Sequence, residues 1–190
     1  PVGCHSFLKT IFEKYGPQLR KLAIYRCTLN DFTLLTVLKL SPFLQELFVS
    51  EVDIQQKLPK INPTSIVHLR SVSIHNTNWL IFKFLSRSQI TSLLIKNRGD
   101  EGIDTRDILV SMLSYQYRLK ELTLYGTSSK TLFACNNLNN AWNNRCLSKF
   151  RIVCYIEKHR SVDSNVAEFL TLNNESLKHV VIAISNCEQI

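Results

Sequence analysis

The chain lacks the features that mark low-complexity and membrane-spanning proteins. Its 190 residues include only five glycines and five prolines, which excludes a Gly/Pro-rich disordered chain. No apolar run approaches the ~18 residues that a transmembrane helix requires. The only methionine is Met112, so we expect the sequence to be a fragment of a longer protein.

Motifs for catalysis and metal binding are also missing. The sequence contains no Gly-rich phosphate loop, no G-x-S-x-G and no H-E-x-x-H. Its six cysteines form no C-x-x-C pair, and its histidines share no ligand spacing. We therefore predict a non-enzymatic protein without a cofactor or a metal. Cysteines without a close-set framework favour buried thiols in a reducing compartment, hence the cytoplasm or the nucleus.

What the sequence does contain is a recurring strand pattern. Its first copy, Leu19-Arg-Lys-Leu-Ala-Ile-Tyr-Arg-Cys-Thr-Leu29, has the form L-x-x-L-x-L-x-x-C-x-L, which is the leucine-rich repeat signature. Counting Leu19 as position 1, strand alternation directs positions 4 and 6 inward and positions 3, 5 and 7 outward. A thiol or polar side chain at position 9 can satisfy backbone groups that a bend leaves unpaired.

Seven copies of this pattern follow one another. They start near residues 19, 44, 69, 90, 119, 147 and 177, and the mean spacing of about 26 residues lies within the period of leucine-rich repeats. One unit cannot bury its apolar face alone, so neighbouring units must stack and share a core. We therefore predict one α/β domain, residues 1–190, built as a curved leucine-rich repeat solenoid of about seven irregular repeats. Parallel strands would line its concave face, with helices and loops on the convex face.

Helices are predicted between these strands. Residues 5–15 carry an apolar stripe of helical period, and Ser6 can cap the start of this helix. The N-terminal segment 1–18 that contains it is expected to cover the first repeat. Asn30-Asp31 predicts the start of a second helix that runs to about Leu40, and Trp79 to Leu85 predicts a third. A further helix is predicted from residue 104 to about residue 117.

The outward positions supply the candidate binding residues. They mix aromatic and basic side chains, a composition enriched at protein–protein contacts. Tyr25, Phe48 and Tyr125 are candidate anchors, whereas His75, Lys96 and Arg151 can meet carboxylates or phosphates. The complete predicted partner-binding set is Lys21, Tyr25, Glu46, Phe48, His75, Lys96, Tyr125 and Arg151. An alternative interpretation is that neighbouring side chains or loops simply cover Phe48 and Leu94.

The net charge of +8 favours acidic partners. No Lys/Arg-rich run of five to eight residues occurs, so the sequence offers no linear basic tract for nucleic acid. The simplest interpretation is that the Lys and Arg side chains are scattered over the surface. We therefore expect an acidic or phosphorylated protein partner, no membrane contact, and nucleic acid as the least favoured ligand.

The segment Phe7-Leu-Lys-Thr-Ile-Phe-Glu-Lys-Tyr-Gly-Pro-Gln-Leu-Arg-Lys-Leu-Ala-Ile-Tyr-Arg-Cys27 resembles the repeat region of F-box/leucine-rich-repeat proteins. In that family a terminal helix often precedes a first repeat that ends in Cys. The resemblance implies a substrate-recognition part of a Skp1–cullin ubiquitin ligase, whose F-box would lie outside this chain. Two other functions stay open, a scaffold or adaptor unrelated to ubiquitin and a nucleic-acid-associated repeat protein.

Overall fold

The computed structural model describes residues 2–56, 66–78, 80–96, 113–125, 146–156, 170–171 and 175–186. The strands are β1 (Lys21–Asn30), β2 (Glu46–Gln55), β3 (Ser71–His75), β4 (Ser92–Lys96), β5 (Glu121–Tyr125), β6 (Lys149–Ile156) and β7 (His179–Asn186). The helices are α1 (Val2–Tyr15), α2 (Asp31–Lys39) and α3 (Leu80–Leu85), and a 3-10 turn, Gly16–Gln18, follows α1. In the described ranges, no helix has both the length and the apolarity to cross a bilayer.

All seven predicted strands lie in one sheet. Every pair of neighbours is parallel, and the strand order follows the chain from β1 to β7. The described part of the sheet does not close on itself, so β1 and β7 are its two edges. Parallel strands need a crossover connection, and α2 and α3 lie in two of these connections. The α/β class predicted from the sequence is confirmed.

The repeat pattern sets the register of this sheet. Residues at the same pattern position face each other on neighbouring strands. At position 4 the aligned residues are Leu22, Leu47, Val72, Leu93, Leu122, Phe150 and Val180. Each copy of the sequence pattern therefore contributes its position 4 side chain to one apolar row that runs across the sheet.

The core lies on one face of the sheet and is complete in its middle. Positions 1, 4 and 6 of the five inner repeats are buried. The edge strands differ, because each has a described strand on only one side. Leu22 of β1 is half-buried, whereas Val180 and Ile182 of β7 are 44% and 42% exposed.

A left-handed residue bends the chain at position 8. Arg26, Glu51 and Asn76 have φ angles of 44°, 55° and 43°, which non-glycine residues seldom adopt. Like the extra residue of a β-bulge, this residue shifts the alternation by one place. Positions 9 and 11 therefore point into the core after positions 4 and 6, and in the second repeat Val52 and Ile54 are both only 2% exposed.

In the third repeat, the side chain at position 9 satisfies backbone groups at the bend. The buried Thr77 hydroxyl accepts the N–H of Val52 at 3.4 Å and donates to the carbonyl of His75 at 2.9 Å. This is the role predicted for a polar side chain at position 9. The hydroxyl joins the bend of one repeat to that of the next.

The helix boundaries agree with the sequence in part. The Asn30 side chain accepts the N–H of Thr33 at 2.7 Å, which caps α2 as predicted. The prediction that Ser6 starts the first helix is wrong, because α1 already begins at Val2. Trp79 and most of the helix predicted from residue 104 lie outside the described residues.

The turn before β1 requires glycine. The Gly16 carbonyl accepts the N–H of Leu19 at 3.0 Å, and the Ser41 carbonyl accepts that of Leu44 at 3.1 Å in the equivalent turn. Gly16 is buried, and a Cβ built there would collide with the carbonyl oxygen of Leu40. Because the obstacle is backbone, no side-chain rotation can relieve the contact.

We predict that Gly16→Ala lowers the free energy of unfolding by about 1–3 kcal/mol, the usual cost of overpacking a dense site. Urea unfolding followed by circular dichroism measures this loss. The matched control is Gln18→Ala, since Gln18 is exposed in the same turn. Equal stability of the Gly16→Ala variant and the wild type would show that the turn can open without cost.

Candidate functional site

The sheet face opposite the core, which we call the open face, carries positions 3, 5 and 7. None of the side chains at these positions is buried, in contrast to positions 4 and 6 of the five inner strands. The difference follows from strand geometry, because successive side chains point to opposite faces. The open face is therefore a continuous surface seven strands wide in the described part of the sheet.

The structure places all eight predicted partner-binding residues on this face. Lys21 and Glu46 stand at position 3, Phe48 and Arg151 at position 5, and Tyr25, His75, Lys96 and Tyr125 at position 7. Their shared face is an observation, whereas partner binding by them stays a prediction.

An aromatic cluster occupies the face across β1, β2 and β3. The ring centroids of Tyr25 and Phe48 are 5.0 Å apart, and those of Phe48 and His75 are 4.7 Å apart in an edge-on arrangement. The Ser73 hydroxyl lies 3.2 Å from Nε2 of His75 and fixes the imidazole. Phe48 is thus half-covered by its neighbours, as one alternative proposed, while Tyr25 remains 58% exposed.

Two salt bridges neutralise much of the charge at position 3. Lys21 Nζ lies 2.9 Å from Glu46 Oε1, and Lys149 Nζ lies 2.7 Å from Glu121 Oε1. Such exposed pairs contribute only ~0–1 kcal/mol to stability. Their effect on recognition is larger, because four charges of the face are already compensated. Lys21 and Glu46 therefore offer a partner less unpaired charge than their sequence positions indicate.

Lys96 and Arg151 are the cations of the open face outside these salt bridges, among the residues that the structure describes. The Arg151 guanidinium lies 5.3 Å from the centre of the Tyr125 ring, within cation–π range. Lys96 pairs in register with Tyr125 from the other side. The two cations therefore flank one aromatic residue, an arrangement suited to an anionic group.

His75 connects the aromatic cluster to these cations. Burial lowers the pKa of its imidazole, and the positive charge of Lys96 lowers that pKa further. Phe48 and Ser50 flank it from β2, and Leu94 and Lys96 flank it from β4. No carboxylate occupies these neighbouring positions, so the ring is neutral at pH 7 and presents an aromatic surface.

Three further residues of this face, Ser73, Glu121 and Lys149, stand at outward pattern positions. Alternation predicts that they face outward, but the predicted partner-binding set did not include them. Their roles depend on partners 2 or 28 residues away in sequence. Within the described ranges, no group of three or more His, Cys, Asp or Glu side chains could hold a metal ion.

Comparison with known proteins identifies no relative: no family model, no curated protein and no solved structure matches this chain. The function must therefore be inferred from the geometry of the sheet and its surfaces.

We predict that the His75 imidazole titrates below the ordinary value of about 6.5. Lys96→Met raises this pKa only in part, because burial is the larger cause. A pH titration of the imidazole resonances by NMR measures both values, with the remote Lys39→Met as the control. An unshifted pKa in wild type, or no change in Lys96→Met, would contradict this electrostatic assignment.

The lowered pKa of His75 also determines the direction in which stability changes with pH. In the folded state the protonated imidazole is disfavoured, so between the lowered pKa and about 6.5 the unfolded chain binds more protons. The His75 contribution to stability is therefore complete above about pH 6.5 and falls as the pH decreases through this window. The urea midpoint of wild type should fall relative to that of His75→Gln as the pH is lowered through this window, because glutamine has no such titration.

Proposed function

We propose that this chain is a non-enzymatic leucine-rich repeat module that binds a protein partner on the open face. The observation that carries the proposal is the contrast between the two faces of one sheet. One face supplies a continuous buried core, while the other keeps aromatic and cationic side chains accessible across seven strands. Aromatic and Arg anchors dominate the energetics of protein interfaces.

The solenoid form is supported by the parallel, sequential strand order. Neighbouring strands are ~4.8 Å apart, whereas helices with their side chains are ~10 Å across. An array that carries helices on one side of its sheet must therefore bend away from them. The open face becomes the concave surface of the proposed solenoid.

The two halves of the open face favour different parts of a partner. Tyr25, Phe48 and His75 form an aromatic surface on which an apolar side chain can pack. Lys96 and Arg151 favour a carboxylate or a phosphate group beside Tyr125. Electrostatic complementarity of this kind gives specificity and speeds association. We therefore propose a partner with an acidic or phosphorylated segment.

Substrate recognition for a Skp1–cullin ubiquitin ligase is the more specific form of this proposal. It is supported by the resemblance of the Phe7–Cys27 segment to F-box/leucine-rich-repeat proteins. A scaffold or adaptor would use the same face without the ligase. Isolation of the full-length protein with bound Skp1 would favour the ligase role, and a full-length sequence without an F-box would contradict it.

We predict that Lys96→Glu together with Arg151→Glu removes partner binding. Truncating or reversing a charge at the centre of an interface costs ~2–5 kcal/mol, a loss of at least about 30-fold in affinity. A partner isolated with the wild-type chain is measured against this variant by calorimetry. Lys9→Glu together with Lys39→Glu is the matched control, since both lysines lie on exposed helix positions.

Circular dichroism must show the same fold in both double variants. Equal affinity of the two variants would place the partner elsewhere on the molecule and end the proposal for the open face. Loss in the open-face variant alone supports it.

A further inference from the structure

A second surface lies where the seven strands begin. The position 2 carbonyls of the first six repeats each accept two N–H groups from the start of the next repeat: the Arg20 carbonyl accepts those of Gln45 and Glu46 at 2.8 and 3.0 Å. The same pattern recurs at all six strand junctions. This continuous ladder runs through Arg20, Gln45, Arg70, Thr91, Lys120, Ser148 and Lys178. We call this side of the sheet the strand-start edge.

Every second residue of the ladder is a cation. Arg20, Arg70, Lys120 and Lys178 precede β1, β3, β5 and β7, and all four are exposed. Because neighbouring strands are ~4.8 Å apart, successive cations stand ~10 Å apart along a row of ~29 Å. Between them, the hydroxyls of Thr91 and Ser148 bond to the carbonyls of Arg70 and Lys120 at 3.0 and 3.2 Å.

Negative charge is scarce along this edge. In the described turns that lead into the strands, the only carboxylate is Glu175. The next carboxylates, Glu46 and Glu121 at position 3, are already in salt bridges with Lys21 and Lys149. None of the four row cations forms a salt bridge with another described residue. Among the described residues, the strand-start edge thus carries a row of cations without salt bridges.

Exposed aromatic rings accompany these cations. Phe43 is 44% exposed, with the Arg20 guanidinium 5.0 Å from its ring centre and the His68 ring centroid 5.3 Å away in a tilted arrangement. Tyr117 is 52% exposed, and the Arg118 guanidinium lies 5.8 Å from its centre. Cations beside accessible rings combine charge with stacking surfaces.

We propose that the strand-start edge binds single-stranded nucleic acid. Phosphates would follow the row from Arg20 to Lys178, and bases would stack on Phe43 and Tyr117. A cationic track interleaved with aromatic platforms is how proteins hold single strands without sequence preference. A row one residue wide fits a linear polyanion rather than a membrane plane, and an acidic peptide has no base to stack on the rings. The site is separate from the open face and does not depend on the function proposed for that face.

Fluorescence anisotropy with a labelled twelve-nucleotide oligo(dT) tests this site. Four phosphate contacts on a single strand predict a salt slope of about −2.8, so wild-type affinity falls about 50-fold between 50 and 200 mM KCl. Arg70→Gln together with Lys120→Gln removes two contacts, and the fall becomes about sevenfold. Lys9→Gln together with Lys83→Gln carries the same charge change on α1 and α3 and should match wild type.

The contribution of base stacking on the aromatic rings is tested separately. Phe43→Leu keeps an apolar side chain but removes the ring, so affinity falls about fivefold or more while the salt slope stays that of wild type. A duplex of the same length should bind more weakly than the single strand, since its bases are already stacked.

Three outcomes would overturn the proposal. Equal losses in the two glutamine double variants would indicate general charge attraction, and a binding curve independent of salt would exclude phosphate contacts. Binding to vesicles of anionic lipid without binding to oligo(dT) would instead identify the edge as a membrane surface. Because the open face is unchanged in these variants, partner binding through it remains a separate measurement.

Discussion

The shared apolar core between neighbouring repeats is the constraint on which the rest of the structure depends. Position 1 of the inner repeats is filled by Leu44, Leu69, Ile90, Leu119 and Leu147, each at most 1% exposed. No single repeat could bury these side chains, because the residues that cover them belong to the repeats on either side. Burial therefore forces lateral stacking, and lateral stacking forces one register. Val180 and Ile182 on β7, which has a described neighbour on one side only, remain exposed, as the same constraint predicts.

This register also creates the surfaces. Once position 4 is aligned from Leu22 to Val180, positions 3, 5 and 7 must form rows on the opposite face. The left-handed residue at position 8 ends each row in the first three repeats by shifting the alternation. Side chains far apart in sequence thereby become neighbours, such as Phe48 and His75, whose ring centroids are 4.7 Å apart. The backbone needed to build the core is thus sufficient to assemble the open face.

The two surfaces differ in how their charges are compensated. On the open face, acidic and basic residues at position 3 meet across neighbouring strands as Lys21–Glu46 and Glu121–Lys149. Positive charge is left mainly around Tyr125, which restricts anion recognition to one region. At the strand-start edge the cations alternate with neutral polar residues, so their charge extends along the sheet. A localised charge favours one anionic group, whereas an extended row favours a polyanion. The proposed protein partner and the proposed nucleic acid therefore fit different parts of the fold.

Much of the fold could be predicted from the sequence, because alternation and the position of the bend are local properties of each repeat. Leu22, Leu47 and Val72 were assigned to one inward row on pattern alone, and all eight candidate binding residues were assigned to the outward face. The start of α1 at Val2 was missed, since Ser6 only resembles a cap. Ion pairing within the outward face was also missed, because the pattern gives no lateral neighbours until the register is known.

The basic residues that precede the strands show most clearly that the sequence pattern does not predict which residues are neighbours across the sheet. In sequence, Arg20, Arg70, Lys120 and Lys178 are separated by about fifty residues each and form no tract. In the structure they belong to one hydrogen-bonded ladder. The sequence by itself determined which side chains are buried and which face outward, since that follows from the period of a strand. Only the tertiary structure decided which outward residues are neighbours, because distances across a sheet depend on the pairing of strands more than twenty residues apart.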